Sequence, residues 1–297
     1  MWPDLFRIPV IGIPIHTYGV MIVIGFLAAV FVITRLFRRL GHYENDFMDF
    51  AFWALVGGIT GARIVFVLVE WKQYFIEQPF TEIGSTGIKI PSIFALWQGG
   101  LVFWGSFLGG FVAFLIFAHK RKIPLLPFAD YVIVGLPLAQ MFGRLGCIGA
   151  GCCWGRSEYH WDAAGKLIQD VPFALQFPPN SSAYSSLIQS SSQQVREWMM
   201  HTGHTVPLFP SQLFESFGAI IIFFILLWMV PRKWFHGQLL LSYVMLYSIM
   251  RSILEFFRGD VERGYVIDGV LSTSQFISII AVIVTLITFV VLRAKKR

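Results

Sequence analysis

The chain has 297 residues, of which 56% are hydrophobic and only 13% charged, about half the charged share of a soluble domain. Such a chain cannot clothe a water-facing surface in polar groups, so an ordinary soluble protein is excluded and lipid must be the solvent for much of it. The formal net charge of +6 does not point to nucleic acid, because the basic residues stand in short groups beside apolar runs rather than along one stripe.

The opening MWPDLFRIPVIGIPIH has acid, base and prolines where a cleaved signal would need an n-region and an h-region. Seven segments follow that are long and apolar enough to cross roughly 30 Å of hydrocarbon. They cover 17–37, 48–69, 100–118, 126–146, 210–230, 237–257 and 272–292. The expected architecture is an all-α integral membrane protein with seven transmembrane helices. It forms a single membrane domain over 1–297, with an outer-face head region at 147–209 inserted between the fourth and fifth helices. No internal repeat aligns, which weakens a transporter built from inverted halves.

Tyr18 opens the first span in HTYGVM, either as an interfacial belt tyrosine or as a substrate hydrogen-bond donor. Trp97, Trp104 and Trp154 carry the same two readings. Arg63 follows LVGGITGA midway through the second span, satisfied by backbone carbonyls or by snorkelling to the interface, or else by a ligand. Residues 70–99 end in IKIPSIFALWQGG, which suits a segment lying along the interface or dipping back into it. The fourth span carries Asp130, Pro137 and Arg144, and the sixth carries Arg251 and Glu255. Helices with such residues turn toward a bundle interior.

Glycines 143, 146, 149, 151 and 155 around Arg144 argue against a regular lipid-exposed helix there and for either an anion-facing backbone or close helix packing. The 147–209 section is polar and holds FPPNSSAYSSLIQSSSQQ, whose composition predicts a mobile serine run on a partly ordered surface region. Glu215 in FPSQLFES is a further embedded acid able to compensate an arginine of another helix. Arg251 and Glu255 are four apart, hence on one helical face, with Arg258 one turn beyond.

An outside N-terminus places twelve basic residues and three acids on the inner side, ending in Arg293, Lys295, Lys296 and Arg297. The outer side then receives eight basic residues, Arg263 among them, and eleven acids. That bias fits the positive-inside rule in one orientation only. Arg63, Arg144, Arg156, Arg251 and Arg258 outnumber the embedded acids available toward the outer face. An uncompensated buried charge costs several kcal/mol, so this surplus calls for an anion. A phosphate suits the arginine fork, and a phospholipid headgroup sits at that depth.

Cys147, Cys152 and Cys153 include no CxxC pair, neighbouring cysteines bridge poorly, and an odd count leaves a free thiol. No histidine has ligand spacing with acids or cysteines, so no metal site is expected.

These residues match a known pattern. The chain resembles the bacterial phosphatidylglycerol:prolipoprotein diacylglyceryl transferase family over nearly its full length. The likeness runs through TYGVM at 17–21, GGITGAR at 57–63, WQGGLVFWGSFLGG at 97–110, GRLGCIGAGCCWGR at 143–156, PSQLFE at 210–215 and RSILEFFR at 251–258. The resemblance implies transfer of the diacylglyceryl group of phosphatidylglycerol to the lipobox cysteine thiol of a prolipoprotein, giving a thioether and glycerol 1-phosphate. It implies a multi-pass protein of the bacterial inner membrane with a periplasmic N-terminus and a cytoplasmic C-terminus. The essential roles carry to Arg144 and Arg251, supported by Tyr18, Glu255, Arg63 and Arg258, with Gly100 near the lipid path. Trp104 and Arg156 complete the expected substrate-binding set, and the 147–209 section corresponds to the family's head region.

The chain departs from the family pattern at Trp104, where many members have histidine. Cys147, Ala150 and Cys152 stand for Asn, Asn and Glu, and Phe209 stands for the His before PSQ. Indole has no basic nitrogen, so a histidine general base is not available at 104. Arginines in a low-dielectric cavity would stabilise charge growing on the departing phosphate, and the same field would raise the thiolate fraction of the incoming cysteine. Tyr18 and Glu255 are the candidates for taking the thiol proton, and neither metal nor ATP is required. A transporter of anionic lipid or small anions would use the same arginines without covalent chemistry. A thiol–disulfide enzyme built on the three cysteines is disfavoured by their spacing.

Overall fold

The computed structural model describes residues 4–7, 14–41, 43–82, 87–96, 99–259, 264–267 and 271–294. Trp97, Arg263, Lys295, Lys296 and Arg297, used above, lie outside the described residues. The long helices are α1 (Thr17–Leu40), α2 (Glu44–Val69), α3 (Phe103–Arg121) and α4 (Leu125–Ala150). After two short helices, α5 (Ser182–Ser190) and α6 (Gln193–Thr202), come α7 (Ser211–Met229), α8 (Gln238–Glu255) and α9 (Thr273–Ala294). Among the described residues, strands are confined to two-stranded ladders: β1 (Asp4–Arg7) with β2 (Pro14–His16), β3 (Phe80–Glu82) with β4 (Lys89–Pro91), β5 (Tyr159–Trp161) with β6 (Leu167–Gln169), and β7 (Tyr265–Ile267) with β8 (Leu271–Ser272).

The protein is an all-α integral membrane protein. Among the described residues, α1, α2, α3, α4, α7 with its 3₁₀ extension to Arg232, and α9 are the six helices long and apolar enough to cross a membrane. The expected seventh, α8, is a regular helix of 18 residues, but Arg251, Glu255 and several polar residues keep it outside that apolar group.

The chain forms two compact units. One comprises Asp4–Ile15 and Val30–Phe128, and its spine is the α2–α3 pair. Gly57 and Gly61 of α2 lie against Gly105 and Gly109 of α3, so closely that a Cβ on Gly57 would meet Gly109 O at 2.8 Å and the Ala113 Cβ at 2.9 Å. These two small-xxx-small motifs interlock, which is how helices gain packing where lipid tails remove the hydrophobic drive between them. One end of the unit is closed by rings: Phe37 stacks on Phe128 at 5.1 Å, and Phe50 packs edge-on against Phe114 and Phe128. The segment between α2 and α3 folds as a π-helical turn (Gln73–Glu77), the β3–β4 ladder and a 3₁₀ turn (Ser92–Phe94).

The other unit comprises His16–Ala29 and Ala129–Arg297 among its described parts. The start of α1 packs on α4 through glycines. A Cβ on Gly25 would meet Ala139 O at 2.9 Å, one on Gly146 would meet Tyr18 Cδ2 at 3.1 Å, and one on Gly149 would meet the Thr17 Cβ at 3.0 Å. This corrects the expectation for residues 143–150, which stay helical to Ala150. Gly146 and Gly149 serve close helix packing, and the non-helical backbone begins only at Gly151.

Asp130, fully buried on α4, caps the start of α8. It accepts hydrogen bonds from the backbone N–H of Gly237 (2.9 Å), Leu239 (2.9 Å) and Leu240 (3.2 Å), with Lys233 Nζ at 3.3 Å. A carboxylate there answers both the orphan N–H groups and the positive end of the helix dipole.

The 147–209 section is ordered. Trp154, Phe177, Ala183, Leu187, Val195, Met199, Val206 and Leu208 form its own apolar core. The serine run expected to be mobile is instead helical. Ser181 Oγ accepts from Tyr184 N at 3.2 Å as the N-cap of α5, and Ala183 and Leu187, one turn apart, bury that helix.

Candidate functional site

Three arginines of the second unit converge on one carboxylate. Helix α7 buries a single face, in which Ser211, Gln212, Glu215 and Ser216 form the polar end and Ala219, Ile222, Phe223 and Leu226 the apolar remainder. Ser211 Oγ donates to Cys153 O and Gln212 Nε2 to Cys152 O, both at 2.7 Å, so the first turn of α7 holds the loop that follows α4. One turn on, Glu215 Oε2 lies 2.6 Å from Arg144 Nε, while Oε1 lies 3.4 Å from Arg258 Nη1 and 3.8 Å from Arg251 Nη1.

Arg251 is held from other sides as well. Its Nη2 lies 2.8 Å from Glu255 Oε2, one turn along α8, and donates to Ser274 Oγ at 3.1 Å. Its Nη1 is buried and makes no hydrogen bond; the 3.8 Å to Glu215 is beyond hydrogen-bonding reach. Among the described residues, three guanidiniums thus meet two carboxylates that are each only 4% exposed, and Arg251 Nη1 is left as a buried donor. Such a cluster is suited to holding an oxyanion with the geometry of a phosphate.

Backbone pairing places Arg258. Gly155 pairs with Arg258 in an antiparallel bridge, Arg156 N donates to Phe257 O and Gly155 N to Phe209 O. Gly155 permits this threefold approach, since a Cβ there would meet Phe209 O and Phe257 O at 2.6 Å each. Arg156 itself turns outward: its side chain is 59% exposed, lies over the Phe257 ring and bonds Glu158 at 2.6 Å. Tyr18, half-exposed, packs beside Gly146 within electrostatic range of Arg144 and the three thiols.

The remaining expected site residues belong to the α2–α3 unit. Arg63 is buried and its donors are engaged by carbonyls. Nε bonds Ile93 O at 2.8 Å, Nη1 bonds Gly99 O at 2.9 Å and Gly100 O at 3.2 Å, and Nη2 bonds Ser92 O at 2.7 Å. Tyr74 lies under its guanidinium at 5.0 Å. Through these bonds the side chain ties Ser92, Ile93, Gly99 and Gly100 to α2. Gly100, at φ +78°, sits where a Cβ would meet Arg63 Nη1 at 2.7 Å. Trp104 is 61% exposed and packs edge-on with Phe103 and Phe107.

The family model for prolipoprotein diacylglyceryl transferase matches residues 3–291. The chain belongs to the prolipoprotein diacylglyceryl transferase family. It is similar to the phosphatidylglycerol–prolipoprotein diacylglyceryl transferase of Clostridium tetani, 30% identical over 297 residues that cover 100% of both chains. The second such transferase of Clostridium perfringens is 30% identical across 97% of this chain and 95% of its own. That of Bordetella parapertussis is 30% identical across 89% of this chain and 86% of its own.

For this family member, sequence reasoning under-weighted two features. Glu215 was recognisable as an embedded acid, yet its place at the centre of three arginines depends on contacts 36 to 71 positions apart along the chain. The cysteines, spaced without a ligand pattern, are brought together by left-handed backbone at Gly151 (φ +66°) and Cys153 (φ +59°). All three are free, with sulfurs within 4.8 Å of one another.

Proposed function

We propose that this chain transfers the diacylglyceryl group of phosphatidylglycerol to the lipobox cysteine thiol of prolipoproteins and releases glycerol 1-phosphate. The observation that carries the reading is the full-length family match, and the arginine cluster around Glu215 supplies chemistry that suits it. The thiolate attacks the glyceryl C3 carbon, the C–O bond to phosphate breaks, and the phosphate oxygen keeps the electron pair. Arg144 and Arg251 are the groups assigned to that growing charge, with Arg258 beside them. Glu215 acts as a positioning residue: it holds the guanidiniums together against their mutual repulsion. A key donor of this kind contributes about 10²–10³ in rate.

Glu255 serves as the counter-charge of Arg251, which leaves Tyr18 to hydrogen-bond substrate near Arg144. The thiol proton passes to solvent, helped by the positive field that favours the thiolate. Arg63 and Gly100 shape the 92–100 loop, while exposed Trp104 faces acyl chains and exposed Arg156 meets the headgroup or the incoming peptide.

In the topology that goes with this function, α8 is the seventh crossing. The N-terminus and the 147–209 head lie on the outer face of the bacterial inner membrane, and the basic C-terminus lies inside. The charge bias of the loops supports that orientation. The decisive experiment is an in vitro transfer assay with phosphatidylglycerol vesicles and a lipobox peptide, on wild type, Trp104→Ala, Arg144→Ala and Arg251→Ala. Thioether product from wild type and Trp104→Ala, lost in both arginine variants, is the expected result. Wild-type protein that moves lipid without forming product would instead make this chain a transporter.

A further inference from the structure

The loop between α4 and the head gathers soft ligands that the transfer chemistry does not use. Cys147 is buried in the last turn of α4, and Cys152 and Cys153 are half-buried just beyond it. Cys153 adopts φ +59°, a conformation that L side chains rarely take and that is held only where surroundings impose it. The imposing contacts are the bonds from Ser211 to Cys153 O and from Gln212 to Cys152 O, together with Cys152 N to Cys147 O at 3.1 Å. The loop is therefore fixed with its three sulfurs converging within 4.8 Å.

We propose that Cys147, Cys152 and Cys153 form a trigonal three-thiolate site for a soft monovalent cation of the Cu(I) or Ag(I) class. A metal bonded equally to three thiolates at about 2.3 Å spaces the sulfurs about 4.0 Å apart, so the cluster has to contract by less than 1 Å or so. Among the described residues the group contains three ligands and no fourth histidine, cysteine or carboxylate. That disfavours a closed tetrahedral zinc site and suits an all-sulfur, three-coordinate soft ion. Loading forms three metal–sulfur bonds and releases three thiol protons to solvent, leaving a centre of charge −2. Arg144, one turn before Cys147 on α4, and Arg258, paired through its backbone with Gly155 just past Cys153, are the nearby cations placed to offset that charge. A disulfide would use two sulfurs and strand the third, and the adjacent pair bridges poorly.

The test uses the full chain, purified in detergent under reducing, anaerobic conditions. Cu(I) is supplied as its acetonitrile complex against a chromogenic Cu(I) chelator, with Zn(II) in a parallel arm. The expected result is one equivalent of Cu(I) retained per chain, at least tenfold weaker retention in each of Cys147→Ser, Cys152→Ser and Cys153→Ser, and no comparable retention of Zn(II). Independently of any variant, Cu(I)-loaded wild type should show all three thiols protected from maleimide labelling by mass spectrometry. The proposal is overturned if Cu(I) is lost to the chelator or retention is indifferent to the serine substitutions. Zinc binding more tightly than Cu(I), or fewer than three titratable thiols in the anaerobic protein, would overturn it as well.

Discussion

Glu215→Gln is the sharpest perturbation of the charge cluster, because it removes one negative charge while keeping the side chain's shape. The carboxylate has guanidinium nitrogens at 2.6, 3.4 and 3.8 Å. At an effective dielectric of ~20, two unit charges about 4 Å apart attract by ~4 kcal/mol. Three such attractions do not add in full, since the Arg144 side chain is 26% exposed and water screens it. Removing one partner of a buried pair costs about 3–5 kcal/mol, and here three arginines lose the same carboxylate at once. The expected outcome is a fall in Tm of roughly 5–10 °C in detergent and a loss of about 10²-fold or more in transfer rate. Asp49→Asn, which breaks the exposed pair with Arg121, is the control and should cost ~1 kcal/mol or less. Thermal unfolding followed by tryptophan fluorescence, with product formation on the same preparations, measures both. A Glu215→Gln protein with wild-type Tm and activity within threefold would refute the claim that this carboxylate assembles the site.

Arg251→Lys keeps the charge but cannot span Glu255, Ser274 and a phosphate at once; turnover should fall at least ~10²-fold with little change in Tm, read in the transfer assay. Gly105→Val places a branched side chain against the Gly61 backbone, and differential scanning fluorimetry should show Tm lowered by several degrees because overpacking costs about 1–3 kcal/mol. Gly100→Ala puts a methyl 2.6 Å from Phe66 Cδ1 and 2.7 Å from Arg63 Nη1 in left-handed backbone; limited proteolysis should cut the 87–102 loop faster than in wild type.

The helices were legible because each depends on a local pattern. The span expected at 210–230 is α7, Ser211–Met229, and that at 272–292 is α9, Thr273–Ala294. A run of apolar side chains satisfies its own backbone, whatever its neighbours do. The site was only half legible. Arg144, Arg251, Glu255 and Arg258 announce themselves as charges in apolar surroundings, but Glu215's three partners lie on other segments. The serine run misled because composition reports average polarity, whereas one cap at Ser181 and two apolar residues one turn apart were enough to fold it. Arg63 shows the same limit: a lone arginine in a glycine-rich helix reads equally well as ligand-binding or as a clamp on its own loop.

The capping of α8 by Asp130 bears on how the chain is made. In the seven-span topology proposed above, α8 is the poorest candidate for unaided entry into lipid, since it carries Arg251 and Glu255 and an arginine costs up to about 2.5–3.5 kcal/mol of insertion, most at a helix centre. Both acids that welcome it from other helices, Asp130 and Glu215, precede it in the chain and leave the ribosome first. Translation order therefore presents α8 with a finished receptor: a carboxylate waiting for its leading amides and another for its trailing arginine. A nascent chain stalled before residue 237 would hold Glu215 with Arg144 and Asp130 with Lys233, but Asp130 would lack the amides of α8 and Glu215 would lack Arg251 and Arg258, so these two buried carboxylates would be only partly satisfied.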